Sequence, residues 1–188
     1  MERYRWIVLA AALILWAPAP VGAEQARGKV TVSYTLSRMR RIASDQYAVW
    51  IEDGEGRFVR TLFVTGFVGR RAGWRIRPQT TASWLKAADV AHTPQAEIDA
   101  VSGATQASGS YSLVWDLTDR AGRTVPAGTY RYLVEGNISW ENTVLWTGTI
   151  RVGAGAASSS ATAVYLPAAA EGMGRLITEV RARFEPAP

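Results

Sequence analysis

The chain has 188 residues, a formal net charge of +5 and no cysteine. Without cysteine it can form no disulfide, thiol nucleophile, iron–sulfur cluster or thioether-linked haem, and its single histidine, His92, cannot alone supply a His-rich metal site or a Ser-His-Asp triad. The positive charge comes almost entirely from arginine and forms no block of like charges. We therefore expect no nucleic-acid partner, and a carrier or binding protein rather than an enzyme.

The first 23 residues carry the features of a secretion signal. Arg3 and Arg5 precede an apolar run over residues 7–16, which is too short to span a bilayer, and small residues follow at 21–23. We predict a cleavable signal peptide over residues 1–23, export through the general secretion pathway and no membrane span in the mature chain. Because an exported domain without disulfides suits the periplasm, we expect a periplasmic protein with one domain over residues 24–188.

The rest of the chain alternates apolar and polar residues with a period of two, which is typical of β-strands. The first strand is marked by the alternating residues Val30, Val32, Tyr34 and Leu36. Residues 46–52 and 57–65 are predicted to form a hairpin through the turn at 53–56. The remaining predicted strands lie near residues 110–117, 130–134, 143–152 and 176–185.

Two segments lack the strand pattern. Residues 66–108 are predicted to form an irregular insertion with one short helix at 83–91. The small residues of 153–170 are predicted to form a low-complexity loop. About seven strands with short turns predict an all-β fold, an antiparallel immunoglobulin-like β-sandwich with this long irregular insertion. Residues 115–130 resemble the strand–turn–strand of the immunoglobulin-like domain in flagellar hook-capping proteins. There, aspartates at a strand end are expected to accept hydrogen bonds from turn amides.

One motif points to chemistry. The sequence Asp99-Ala100-Val101-Ser102-Gly103-Ala104-Thr105 resembles the acceptor sequence that periplasmic flavin transferases modify in FMN-binding domains. The resemblance implies a phosphoester between FMN and the Thr105 hydroxyl, with Asp99 orienting the acceptor loop. Ser102, Gly103 and Ala104 complete the site, and the last two add no bulk beside the hydroxyl. The alternative interpretation is a tight loop of small residues without a cofactor.

The insertion also holds candidates to surround a flavin. Trp74 and Trp84 could stack on the ring, because aromatic side chains pack on flat ring systems. Four arginines could lie near the phosphate or the reduced, anionic ring: Arg70, Arg71, Arg75 and Arg77. The alternative for these arginines is a solvated loop.

Taken together, several stretches resemble domain-of-unknown-function family 2271, a family of predicted periplasmic proteins, from about residue 29 to residue 152. They are Val49-Trp50-Ile51-Glu52-Asp53, the strand at 57–65, Trp84, the motif at 99–105 and the hairpin at 115–130. Members commonly accompany PepSY-type membrane reductases and flavin transferases. The resemblance implies a periplasmic electron carrier with covalent FMN. The alternative is a cofactor-free β-sandwich adaptor that binds a partner protein or an envelope component.

Overall fold

The computed structural model describes residues 25–70 and 73–188, so the predicted signal peptide lies outside the described residues. The strands are β1 (Gly28–Leu36), β2 (Gln46–Asp53), β3 (Phe58–Thr65), β4 (Ser102–Gly103), β5 (Gly109–Trp115), β6 (Gly128–Ser139), β7 (Asn142–Val152), β8 (Ala157–Ser160), β9 (Thr162–Leu166) and β10 (Ile177–Pro186). The α-helices are α1 (Gly73–Ile76), α2 (Ala82–Ala87) and α3 (Gln95–Ala100), and 3₁₀ turns cover Pro78–Thr81, Val90–His92 and Ala168–Met173. Within these ranges, no helix has the length and hydrophobicity needed to cross a bilayer.

The strands form two sheets that pack face to face. One sheet has four strands in the order β5-β1-β10-β8, and the other has six in the order β4-β3-β2-β6-β7-β9. Neighbouring strands are antiparallel except for β3 and β4, which run parallel. The predicted all-β sandwich is therefore confirmed.

The space between the sheets is filled by the alternating residues that the sequence pattern predicted. In β1 the four apolar residues named above are all buried, and the polar residues between them are not. On the neighbouring strand β10, Val180, Ala182 and Phe184 are buried while Arg181 and Arg183 are exposed. Because every second side chain of a strand faces the same side, this pattern places one face of each strand in the core.

A second apolar cluster lies on the outer face of the six-stranded sheet, beneath the helices. Strand β2 contributes to both clusters: Tyr47, Val49 and Ile51 face the other sheet, while Ala48 and Trp50 face the helices. A strand that is covered on both faces has consecutive apolar residues instead of alternating ones, which explains the apolar run at residues 47–51 of β2. The insertion is therefore a packed helical layer, with α2 in place of the single helix predicted at 83–91.

Two predictions about the strands were wrong. The described part of the chain has ten strands rather than about seven, and residues 153–170 are not a loop, because they hold β8 and β9. Strand β8 pairs with β10 and strand β9 with β7, each at the edge of its sheet. Strand β8 consists of small residues that are held by backbone hydrogen bonds, and β9 has only alternate residues partly buried, so neither edge strand shows a strong apolar pattern.

The connections gather at two ends of the sandwich. At one end, which we call the turn end, lie residues 54–57 and 116–127. At the opposite end, which we call the loop end, lie residues 37–45, 66–70, 104–108, 140–141 and 167–176. The turn end contains the predicted aspartate turns: Asp119 Oδ1 accepts hydrogen bonds from the Ala121 amide at 2.8 Å and the Arg123 amide at 2.9 Å.

Candidate functional site

The acceptor-like motif lies at the edge of the six-stranded sheet. Helix α3 ends at Ala100, and the chain then enters β4, in which Ser102 pairs with Val64 and Gly103 with Thr65 of β3. The Gly66 amide donates to the Gly103 carbonyl at 2.5 Å. The motif therefore begins at the end of α3 and continues as a short edge strand that is fixed to the sheet, and its last two residues leave the sheet.

Close packing explains the small residues of the motif. A Cβ on Gly103 would lie 2.6 Å from the Phe63 ring, and a Cβ on Gly69 would lie 1.9 Å from Ser102 Oγ. Ser102 is buried, and its hydroxyl donates to the Ile98 carbonyl at 2.7 Å. These contacts enclose the Ser102 hydroxyl, so it is not presented to a visiting enzyme.

Thr105 lies at the loop end, just after β4. Ala104 is exposed, and Thr105 is half-buried rather than sealed in the sandwich interior. The side chain of the next residue, Gln106, is held by two tyrosines of the sandwich interior. The Tyr47 hydroxyl donates to its Oε1 at 2.6 Å, and the Tyr34 hydroxyl lies 3.3 Å from the same atom. Thr105 thus lies between the exposed Ala104 and the anchored Gln106.

The two tyrosines belong to an aromatic cluster beneath residues 104–108. The rings of Tyr34 and Tyr47 meet edge to face at 5.7 Å, and Tyr47 lies 5.1 Å from the Phe63 ring. Burial raises the pKa of Tyr34 to about 12 and also raises the pKa of Tyr47. Both hydroxyls therefore stay protonated at neutral pH and act as donors to the loop.

Residues 104–108 carry the chain from the edge of one sheet to the edge of the other, where β5 begins. The Tyr111 hydroxyl donates to the Ala107 carbonyl at 2.8 Å. Ser108 Oγ accepts a hydrogen bond from the Arg38 amide at 3.0 Å, which ties this crossing to the loop between β1 and β2. The crossing is therefore held by both sheets.

Asp99 is the first residue of the motif and lies on α3. Its Oδ1 accepts a hydrogen bond from Gln95 Nε2 at 2.8 Å, and the same Gln95 group donates to the Gly69 carbonyl at 3.0 Å. Asp99 thereby helps to fix α3 against the segment after β3. This contact positions the start of the motif. Asp99 precedes Thr105 by six positions, and its carboxylate bonds to Gln95.

The two candidate tryptophans occupy different environments. Trp84 is 1% exposed, and its Nε1 donates to Thr61 Oγ1 at 2.9 Å within the cluster beneath the helices. Its ring is therefore enclosed in the core in this conformation. Trp74 is half-buried, with the guanidinium carbon of Arg75 at 4.9 Å from its ring centroid. Of the two, only Trp74 presents part of its ring to solvent.

The four arginines proposed from the sequence also differ. Arg71 lies outside the described residues, while Arg70 and Arg75 are exposed. Arg77 is half-buried, and its Nη2 donates to the Ala43 carbonyl at 2.8 Å and to Asn137 Oδ1 at 3.1 Å. Burial lowers the pKa of Arg77. Arg77 therefore connects three segments of the loop end.

Sequence reasoning missed a second group of arginines. A groove at the loop end is lined by Arg77, Phe67 and three residues of the loop between β1 and β2: Arg38, Arg40 and Arg41. The buried Asp45 pairs with Arg38, with 3.3 Å between Asp45 Oδ2 and Arg38 Nε. Three arginines within four positions between two strands were the signal for this group. A groove of this charge suits a phosphate group or another anion.

The site can thus offer one hydroxyl, an anchored loop and a positive groove. The loop that carries Arg38 is bonded to the crossing that carries Thr105, so the groove and the hydroxyl lie on the same end of the fold. This arrangement can present Thr105 for modification and can attract an anion. The described residues contain no group of three or more His, Cys, Asp or Glu side chains that could hold a metal ion.

Comparison with family models gives one match. The model described as predicted periplasmic protein, DUF2271, matches residues 28–167 and thus confirms the family resemblance. No curated protein and no solved structure matches the chain significantly. The matched range ends before β10, although β10 lies between β1 and β8 in the four-stranded sheet.

Proposed function

The chain belongs to the DUF2271 family of predicted periplasmic proteins, and on that premise we propose that it is a redox carrier with one FMN esterified to Thr105. A flavin transferase would attach the FMN, and a PepSY-type membrane reductase would exchange electrons with it. The flavin would supply the electron-transfer chemistry, so the protein itself need not be an enzyme.

The observation that carries the proposal is the difference between the two hydroxyls of the motif. Ser102 is buried and donates to the Ile98 carbonyl, whereas Thr105 is half-buried beside the exposed Ala104. Attachment requires the Thr105 oxygen to attack a phosphorus atom held by the transferase. With a flavin dinucleotide as the donor, a new oxygen–phosphorus bond forms to its FMN half and the phosphoanhydride bond of the donor breaks. The nucleoside monophosphate leaves, and the hydroxyl proton passes to a base of the transferase.

The chain's own residues would hold the attached group. Arg38 lies against the crossing through its amide, and the neighbouring Arg40 and Arg41 are exposed in the same groove. Their guanidinium groups suit a phosphate or an anionic ring, and the half-buried Trp74 is the candidate for stacking. We therefore prefer the arginines of the loop between β1 and β2 as partners of the phosphate over the insertion arginines that were proposed from the sequence.

The test is coexpression with a flavin transferase in a periplasm, followed by intact-mass measurement and absorbance. We expect wild-type protein to be yellow and heavier by one FMN less water. Thr105→Ala should lose the whole increment, and Ser102→Ala should keep it because the attachment oxygen is unchanged. Colourless wild-type protein of unmodified mass, under conditions that label a known acceptor, would instead favour the cofactor-free adaptor.

A further inference from the structure

Three large apolar side chains are unusually exposed at the loop end. Ile42 is 78% exposed, Ile76 is 74% exposed and Trp140 is 52% exposed. They lie on three separate segments: the loop between β1 and β2, helix α1, and the turn between β6 and β7. Exposed apolar residues scattered singly need no explanation, but a group on neighbouring segments marks an interaction surface.

Hydrogen bonds hold these segments together. The Trp140 amide donates to the Ala43 carbonyl at 2.9 Å, and Ser139 Oγ donates to the Ile42 carbonyl at 3.3 Å. Arg77, the residue after Ile76, donates to the same Ala43 carbonyl, and its guanidinium carbon lies 5.8 Å from the centroid of the Trp140 ring. We call Ile42, Ile76 and Trp140 the apolar tip.

The surroundings of the apolar tip are strongly basic. Arg38, Arg40, Arg41 and Arg75 are exposed on the same segments. Of the acids at this end, Asp45 is buried and paired with Arg38, Glu141 is exposed beside Trp140, and the exposed Glu171 lies 4.0 Å from Arg175. The side chains at this end therefore carry a clear excess of positive charge.

We propose that the apolar tip docks on a membrane surface that contains anionic phospholipids. Tryptophan is favoured at the boundary between headgroups and acyl chains, and isoleucine on a projecting loop can insert beside it. Arginines around the tip meet lipid phosphates, with each basic residue adding attraction to an anionic surface. The apolar side chains stand on two loops and on helix α1, with exposed arginines on the same segments, and a basic rim around a few apolar side chains suits an anionic lipid surface.

Docking in this way places residues 104–108 towards the membrane, because they share the loop end with the tip. The inference does not rest on a bound flavin, since none of the tip residues takes part in attachment. It would nevertheless bring Thr105 close to any redox protein embedded in the same membrane.

The experiment is cosedimentation of the mature Thr105→Ala protein with phospholipid vesicles. This background carries no flavin at position 105, so failure of docking and failure of flavin attachment are separate results. We expect binding to vesicles of phosphatidylglycerol and phosphatidylcholine, weak binding to phosphatidylcholine alone, and loss of binding in high salt.

Added substitutions identify the surface responsible. The pair Arg40→Gln and Arg41→Gln should weaken partition by more than about tenfold, on the basis of roughly fivefold for each basic residue. Ile42→Ser and Trp140→Ser should each weaken it several-fold. Matched controls are the pair Arg27→Gln and Arg151→Gln, two exposed arginines away from the loop end, and Val164→Ser, whose side chain is 55% exposed on β9.

Two outcomes would overturn the proposal. The first is no sedimentation with anionic vesicles, which would leave the apolar tip to a protein partner. The second is an equal loss of binding in the control and tip variants, which would assign the attraction to the net charge of the whole protein.

Discussion

The two ends of the sandwich are held together in different ways. At the turn end, Asp53 Oδ1 accepts from the Glu55 amide at 3.0 Å and the Arg57 amide at 2.9 Å, so these bonds join residues two and four positions apart. At the loop end, the bond between Tyr47 and Gln106 joins residues 59 positions apart. The aspartate turns at the turn end therefore close within a few residues, whereas the crossing at residues 104–108 is held by side chains from distant parts of the chain.

This difference bears on function. A turn that satisfies its own amides is a stable connection with no need of its neighbours. The loop end instead gathers side chains from distant segments, among them Arg38, Arg77 and Gln106. Such a surface can present a modified residue and a charged groove together, and substitutions far from Thr105 along the chain can disturb it.

The largest effect is expected from Trp84→Ala in the helical layer. Because the side chain is fully packed and its indole N–H donates to Thr61, the change should lower the free energy of unfolding by about 3–5 kcal/mol. Urea denaturation measures this change. Trp74→Ala should cost less than half as much, because its ring is only half-buried.

The same pair of variants tests flavin stacking. In protein that carries the flavin, Trp74→Ala should change the flavin absorbance, and Trp84→Ala should leave the absorbance of the folded fraction unchanged. A Trp84→Ala protein of wild-type stability with an altered flavin spectrum would mean that the Trp84 ring faces the cofactor instead of the core.

A smaller effect is expected from Tyr47→Phe, with Tyr130→Phe as its counterpart at the turn end. Tyr47→Phe removes the bond to Gln106 Oε1 at 2.6 Å and the acceptor of the Tyr34 hydroxyl at 3.2 Å, and Tyr130→Phe removes the bond to the Pro126 carbonyl at 2.7 Å. Each should therefore lower stability by about 1–2 kcal/mol. Only Tyr47→Phe should speed amide hydrogen exchange in residues 104–108 and slow attachment of flavin.

If both tyrosine variants changed amide hydrogen exchange in residues 104–108 equally, the claim that Tyr47, and not Tyr130, anchors this crossing would be contradicted. Equal rates of flavin attachment in both variants would show that the anchoring of Gln106 has no part in presenting Thr105.

The smallest effect concerns pH and belongs to the turn end. Hydrogen bonds from the Arg123 backbone and side chain lower the pKa of Asp119 below its ordinary value of 3.8. The ionised carboxylate therefore stabilises the fold above that value, and this stabilisation is lost as the pH falls through the lowered pKa. Thermal unfolding should depend less on acidic pH in Asp119→Asn than in wild type. Thr105→Ala, which changes no titratable group, should keep the wild-type dependence.

The sequence predicts features that depend on neighbouring residues better than features that depend on distant ones. Alternation in β1 and the aspartates of the turns are local signals, and the predicted strand and the bonds to turn amides were confirmed. The predicted hairpin at 115–130 was wrong, because β5 and β6 lie in different sheets. The groove lined by Arg38 and Arg77 could not be read from the sequence, because the two residues are separated by two strands and meet only at one end of the sheets. Likewise, Trp84 lies in an insertion without strand pattern, and its burial depends on the sheet beneath it.

The most direct test of the central claim is to locate the flavin on one residue. Trypsin cleaves after Lys86 and Arg120 and releases residues 87–120, a single peptide that contains both hydroxyls of the motif. Fragmentation of this peptide from protein coexpressed with a flavin transferase should place one FMN, less water, on Thr105. An unmodified peptide from a fully competent expression system, or an FMN on Ser102, would contradict the account.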